Sequence, residues 1–353
     1  MVQDEQELKN FVHAYLDDEE RHILLVAGSG FDPRTTNFPK LLASCSKATI
    51  DARFIVERRP TPDPDLVSKS ESLRADLVGF FPEAKFDDIE IFSSEGEPTV
   101  VAGRRTAALL GKLDRSSKTD IIIDISALST GVFFPLVRGL LQSSRPNQNV
   151  HLVLSQHSDL DAMIVRKTHQ AASIAHGFRA TSDFGNSARK VKLWIPQLMR
   201  NQSTSLERLF TMYEYDDVCP AVPLRALAPR QPEELVFEFN DLFRDWTGTS
   251  SVEFDFRNLL FVSEDDPLDT YRTISDLHQL RLRTFEHLNG ASTILSPTGT
   301  KVVTVGMLMA AIEYNLEVVY LESVGYQLSE KFHTQALAPW ALKHVWLAGE
   351  AYS

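Results

Sequence analysis

The sequence predicts an α/β protein built from two Rossmann-like, mostly parallel, doubly wound halves. Three observations carry that expectation. Short runs apolar on both faces alternate with amphipathic stretches, loops rich in Gly, Ser and Thr follow the runs directly, and the order recurs along the chain.

Residues 5–16 read as a short acidic helix. Residues 22–27 (HILLVA) form a continuous apolar strand that opens into Gly28, Ser29, Gly30, Phe31, Asp32, Pro33 and Arg34. A helix near 38–44, a strand over 50–57, a helix near 70–80, a strand over 89–93 and a helix over 100–113 follow. Residues 120–125 (DIIIDI) have the composition of a central parallel strand. They lead through Ser126, Ser129, Thr130 and Gly131 into a helix over 132–142, and residues 149–154 (NVHLVL) close the sheet.

The first domain is thus expected at 1–158, a connection carrying a short helix or two at 159–190 and a second Rossmann-like domain at 191–353. In the second, strands are expected at 192–195, 218–222, 258–262, 292–295 and 317–322, with helices over 203–213, 232–246, 269–288 and 302–314. Residues 333–346 are expected to pack as a helix across the sheet. The closing units 120–154 and 292–322 share one order of strand, Ser/Thr-Gly loop, apolar helix and strand. Either a duplication or the common plan of doubly wound sheets produces that match.

A chain of 353 residues is long enough for two domains, and 43% hydrophobic with 24% charged residues is the composition of a folded protein. The net charge of −12 argues against holding long nucleic acid on the general surface, which needs clustered Lys and Arg. A small anion needs only a few backbone N–H groups and a local cation. Cys45 and Cys219 lack metal-ligand spacing and are too few for a disulfide framework. The acidic first 20 residues carry no apolar signal core, and no run of about 18 apolar residues occurs, so no membrane partner and a cytoplasmic location are expected.

Three strand-end loops are candidate ligand sites. In the first, Gly28, Ser29 and Gly30 can turn backbone N–H groups toward an anion, with Asp32 as a cap and Arg34 as a bidentate cation. In the second, Ser126, Ser129, Thr130 and Gly131 stand behind Asp124 at a helix start, suited to a phosphate or ribose. In the third, Ser296, Thr298, Gly299, Thr300 and Lys301 follow a strand. Lys301 in a first helical turn conflicts with the helix dipole unless something negative is bound. The acidic turn of Glu264, Asp265 and Asp266 caps a helix or holds a divalent cation, and Tyr271 and Arg272 are expected to face the same cleft.

At Thr298, Gly299, Thr300 and Lys301, with residues 302–314 as the helix, the sequence resembles the CRISPR-associated Rossmann fold (CARF) proteins of bacterial antiviral signalling. The resemblance implies a turn that contacts the phosphates of a cyclic oligonucleotide. A Pro-Thr pair replaces that family's second glycine, and no HEPN-type Arg-x4-His signature follows, so a sensor without an attached effector is implied.

The expected function is binding of a nucleotide or a cyclic or short oligonucleotide, as a sensor or accessory protein of antiviral defence. The rival is a nucleotide or phosphosugar hydrolase or transferase using Mg2+, with Asp124, Glu264 or Asp266 as acid, base or metal ligand. A structural subunit with a protein partner, or a homodimer, is the third reading. No cofactor other than that Mg2+ is expected.

Overall fold

Ile23 through Ala27 and Ile121 through Ile123 are buried along their whole length, as interior strands covered on both faces must be. The computed structural model describes residues 2–94, 98–179, 190–225, 230–246, 256–329, 332 and 341–352. In chain order, β1 (Val2–Gln3), α1 (Glu5–Phe11), β2 (His22–Gly28), α2 (Asn37–Leu42), β3 (Thr49–Arg58), α3 (Pro64–Phe80) and β4 (Lys85–Glu90) come first. Next are α4 (Ala102–Leu110), β5 (Asp120–Asp124), α5 (Thr130–Ser143), β6 (Asn149–Gln156), α6 (Ser158–Met163) and β7 (Ile164–Thr168). They are followed by β8 (Ser173–Ile174), β9 (Val191–Pro196), α7 (Ser203–Phe210), β10 (Asp217–Val218), β11 (Ala221–Arg225), α8 (Gln231–Glu238) and α9 (Asn240–Trp246). The chain finishes with β12 (Leu260–Ser263), α10 (Pro267–Thr284), β13 (Ala291–Ser296), α11 (Lys301–Glu313), β14 (Glu317–Tyr320), β15 (Ser323–Leu328) and β16 (Ala341–Ala348).

Two compact units result, one of residues 1–167 with 323–353 and the other of residues 168–322. The first holds a sheet in the order β1-β16-β6-β5-β2-β3-β4. Strands β4, β3, β2, β5 and β6 are mutually parallel, and β16 runs antiparallel beside β6. The second holds the order β10-β9-β13-β14-β8, with β8 antiparallel at its end, and a parallel pair of β11 and β12. β11 continues the path of β10 beyond Cys219 and Pro220. Cys219 N donates to Trp194 O at 2.9 Å, Leu198 N to Ala221 O at 3.0 Å, and Leu260 N to Pro220 O at 2.9 Å.

Taken with that continuation, the two units share one plan. β4-β3-β2-β5-β6-β16 in the first corresponds to β12-β11/β10-β9-β13-β14-β8 in the second, polarity included. The likeness of the closing units therefore extends to whole sheets. In each, successive strands travel one way from a central strand and then the other. This creates a topological switch point, between β2 and β5 in the first unit and between β9 and β13 in the second.

Three expectations are corrected. Residues 341–346 lie in a strand, not a helix, because Leu342, His344 and Trp346 alternate as one buried face and β6 offers an unpaired edge; residues 333–340 lie outside the described residues. The C-terminal segment therefore joins the first unit. The expected helix over 232–246 is two helices, α8 and α9, parted at Phe239. The connection, expected to carry a short helix or two, holds the helix α6 but also the strands β7 and β8, the last of which completes the second sheet; residues 180–189 lie outside the described residues.

Helices α10 and α11 pack side by side, and a Cβ on Gly306 would lie 2.5 Å from the carbonyl oxygen of Pro267 and from Cβ of Thr270. At the amino-terminal end of the first sheet, a buried polar chain crosses three strands. Asp120 Oδ1 meets His151 Nε2 at 3.1 Å, and His151 Nδ1 meets His344 Nε2 at 3.0 Å. Phe11 stacks on His344 and lies tilted against His151 and Trp346. Burial lowers the pKa of His151, and burial followed by His151 lowers that of His344.

Candidate ligand site

The first two loops are neighbours because β2 and β5 are. A Cβ on Gly28 would meet the Ala127 carbonyl carbon at 3.0 Å and Leu128 Cδ2 at 3.1 Å, so Gly28 lets the loop after β5 close onto the end of β2. Gly30 has open space where a Cβ would stand. The Ser29 N–H donates to Ile55 O at 2.8 Å, within the sheet.

Arg34 does not reach out from this loop. It is 5% exposed, donates from Nε and Nη2 to the Asp32 carboxylate, and from Nη1 to Asp161 Oδ1 at 2.7 Å. Burial disfavours its charge, yet Asp32 and Asp161 outweigh that and hold its pKa above the ordinary value. Asp32 also accepts from Arg34 N at 3.0 Å, the expected cap. Next to it the buried Thr35 hydroxyl has no hydrogen-bond partner among the described residues.

Asp124 ends β5. Its Oδ1 accepts from Ser126 N at 2.9 Å and from the Ser126 hydroxyl, while Ser126 Oγ accepts from Ser155 N at 2.8 Å. Asn37 donates to Ser155 Oγ at 3.0 Å and so ties α2 to the same edge. Ser129 is the N-cap of α5, and its side chain makes no capping bond. Its hydroxyl oxygen is buried with no hydrogen-bond partner among the described residues, and its N–H donates to Glu57 Oε1 at 2.7 Å. Thr130 and Gly131 form the first turn of the helix.

Glu57, at the end of β3, is a residue that loop-by-loop reading of the sequence passes over. It pairs with Arg59 at 2.8 Å, with both side chains at most 10% exposed. Arg59 in turn donates from Nε to Ser323 O at 2.8 Å, and its guanidinium lies 4.9 Å from the ring centre of Tyr326, which contacts Phe31. Only the place of Glu57 at the end of an expected strand hinted at this role. Asp161 and Tyr326 are remote in sequence and gave no signal.

The third loop belongs to the second unit and is filled from within. Gln197, just after β9, donates from Nε2 to Thr300 O at 3.2 Å and to Thr300 Oγ1 at 3.4 Å. It accepts from the Thr304 hydroxyl at 3.2 Å, and its carbonyl accepts from the Thr298 hydroxyl. A Cβ on Gly299 would fall 2.5 Å from Gln197 Nε2. Ser296 Oγ accepts from the Trp194 indole at 2.9 Å. Lys301 opens α11 and is partly exposed.

The acidic turn caps α10. Asp266 accepts from Leu268 N at 2.9 Å, Asp269 from Ser263 N at 2.8 Å, and Glu264 is buried and accepts from Gln231 at 3.3 Å. Tyr271 is hydrogen-bonded to Glu313, the last residue of α11, and so turns away from the end of that helix where Lys301 stands. Arg272 is exposed. Asp124 and the pair Glu264 and Asp266 belong to different units. Among the described residues no three His, Cys, Asp or Glu side chains gather to hold a metal ion, and no helix is long and apolar enough to cross a membrane.

No family model matches the chain, and no curated protein does. Solved structures overlap it loosely. The methyltransferase domain of the citrinin polyketide synthase is 16% identical over 43% of this chain and 34% of its own, with a TM-score of 0.25. An rRNA methylase from Streptococcus thermophilus is 13% identical over 48% and 89%, also at 0.25. A universal stress protein from Pseudomonas aeruginosa is 12% identical over 87% and 95%, at 0.23. The chain spans about a third of the length of the first of these. The α/β class follows from the parallel sheets themselves.

Proposed function

We propose that the chain binds a phosphorylated, nucleotide-like ligand at the carboxyl ends of β2 and β5, in the first unit. The observation that carries this reading is the switch point between these strands, where the loops of open α/β sheets part and leave a crevice. The chemistry at that edge suits such a ligand. The start of α5 has no capping bond from its own N-cap side chain and favours an anion, the Ser129 hydroxyl lacks a partner among the described residues, and the Asp124 carboxylate can accept from a ribose hydroxyl. In the second unit the corresponding crevice is occupied by Gln197, which favours the first unit as the ligand-binding one. A sensor or accessory role in bacterial antiviral defence rests on a separate observation, the likeness of Thr298 to Lys301 to CARF proteins, and the first-unit site does not carry it, because Gln197 fills that second-unit loop.

Calorimetry with adenosine monophosphate, cyclic triadenylate and phosphate-free adenosine tests the reading. The expected result is binding of a phosphorylated probe, weakened roughly fivefold in Ser129→Ala, about the effect of one hydrogen bond. Equal binding of adenosine would remove the phosphate from the proposal. Absence of binding by all three probes would refute it.

A further inference from the structure

Glu57 is an acid whose side chain is only 10% exposed, placed where an anionic ligand is expected. Its Oε1 takes the Ser129 N–H at 2.7 Å, at the start of α5, and its other carboxylate oxygen takes Arg59 Nη2 at 2.8 Å. Helices α1, α3 and α10 begin with an Asp whose side chain caps its own helix. At α5 the adjacent Ser129 hydroxyl makes no such bond, and the negative charge comes instead from β3, a different strand. A carboxylate there satisfies the helix start in the absence of ligand, as a ligand anion would in its presence.

Arg59 carries this arrangement further. It holds Ser323 O and lies over Tyr326, both in β15. β15 is the strand by which the chain re-enters the first unit, and it pairs with β7, by which the chain leaves. A contiguous set of bonds therefore runs from Ser129 through Glu57 and Arg59 to the connecting strands.

We propose that Glu57 is an internal stand-in for the anionic group of the ligand, and that its displacement loosens the hold of Arg59 on β15. This rests on the reading that the start of α5 is the ligand site. Two anions cannot share the Ser129 N–H, so an arriving phosphate ejects Glu57. The ejected carboxylate either drags Arg59 with it or leaves it to the phosphate. In both cases Arg59 loses the carboxylate that orients its Nη2, its hold on Ser323 and Tyr326 loosens, and occupancy is reported at the connecting strands.

The test uses the full chain with adenosine monophosphate and cyclic triadenylate, in wild type, Glu57→Gln and Glu57→Ala. The Gln variant keeps the shape and removes the competing charge, so it is expected to bind the phosphorylated probes roughly five- to tenfold more tightly. Hydrogen exchange at residues 323–328 is expected to rise on adding the probe to wild type, and to be raised in both variants beforehand. The Ala variant carries the same expectation should Glu57→Gln fail to fold. If wild type binds but the variants bind equally or more weakly, the stand-in is overturned while the ligand site stands. Unchanged exchange at 323–328 on binding overturns the link to the connector. If neither wild type nor variant binds either probe, the stand-in and the ligand site fall together.

Discussion

Replacing Gly299 by Ala isolates what that glycine is for. A Cβ there would stand 2.5 Å from Gln197 Nε2, 2.6 Å from Cδ and 2.9 Å from Cγ, all inside normal contact distance. Gln197 is only 3% exposed and is fixed by its bonds to Thr300 and Thr304, so it cannot move aside without leaving a buried amide unsatisfied. Overpacking or an unsatisfied amide each costs about 1–3 kcal/mol, against about 0.4–1 kcal/mol gained from a stiffer unfolded chain. A net loss of roughly 1–2 kcal/mol is expected. In a Gln197→Ala background the obstacle is gone, and the same change should be neutral or slightly stabilising. The assay is a double-mutant cycle from urea titrations followed by Trp fluorescence and circular dichroism, with an expected coupling of about 1.5 kcal/mol or more. Losses that add within about 0.5 kcal/mol would refute the reasoning and return Gly299 to a ligand or backbone requirement.

Acid should destabilise the first unit through His151 and His344. Both folded pKa values are lowered, so the unfolded chain binds the extra protons and stability is present above the ordinary histidine value and lost as pH falls below about 6.5, by up to about 2.7 kcal/mol per pH unit for two sites. Urea midpoints from pH 8 to 5 should show that slope, and His344→Gln should reduce it. Arg34→Ala leaves Asp32 and Asp161 facing each other without their cation and is expected to cost about 3 kcal/mol by urea titration, with Arg34→Lys recovering only part of the loss. Burial and then Asp17 push the Cys45 thiol up to about 11, and burial and then Asp217 push Cys219 up to about 12. Labelling with a thiol reagent at pH 8 should therefore run at least about a hundredfold slower in the native protein than after unfolding in urea.

The resemblance between the halves illustrates how far local pattern reaches. Residues 120–154 and 292–322 show the same succession of apolar strand, polar loop and apolar helix, and each does fold that way. That the likeness extends to whole sheets depends on pairings such as β16 with β6 and β8 with β14, formed between segments far apart in the chain. The run ALKHVWLA satisfies a helix or a strand, and the open edge of β6 selects the strand.

By itself the sequence determined the α/β class, most of the interior strands and the polar loops that follow them, because burial on two faces and the change of hydrophobic period are local properties. Only the tertiary structure decided which polar groups in those loops are already engaged. Arg34 and Gly299 look like ligand contacts in the linear chain, but Asp161 lies 127 residues from Arg34 and Gln197 lies 103 residues from Thr300. Glu57 has the opposite history, an unremarked strand end that the parallel register sets against Ser129, 72 residues away. Polar pairing depends on which chain segments meet in space, and folding fixes those meetings through the burial of apolar residues elsewhere.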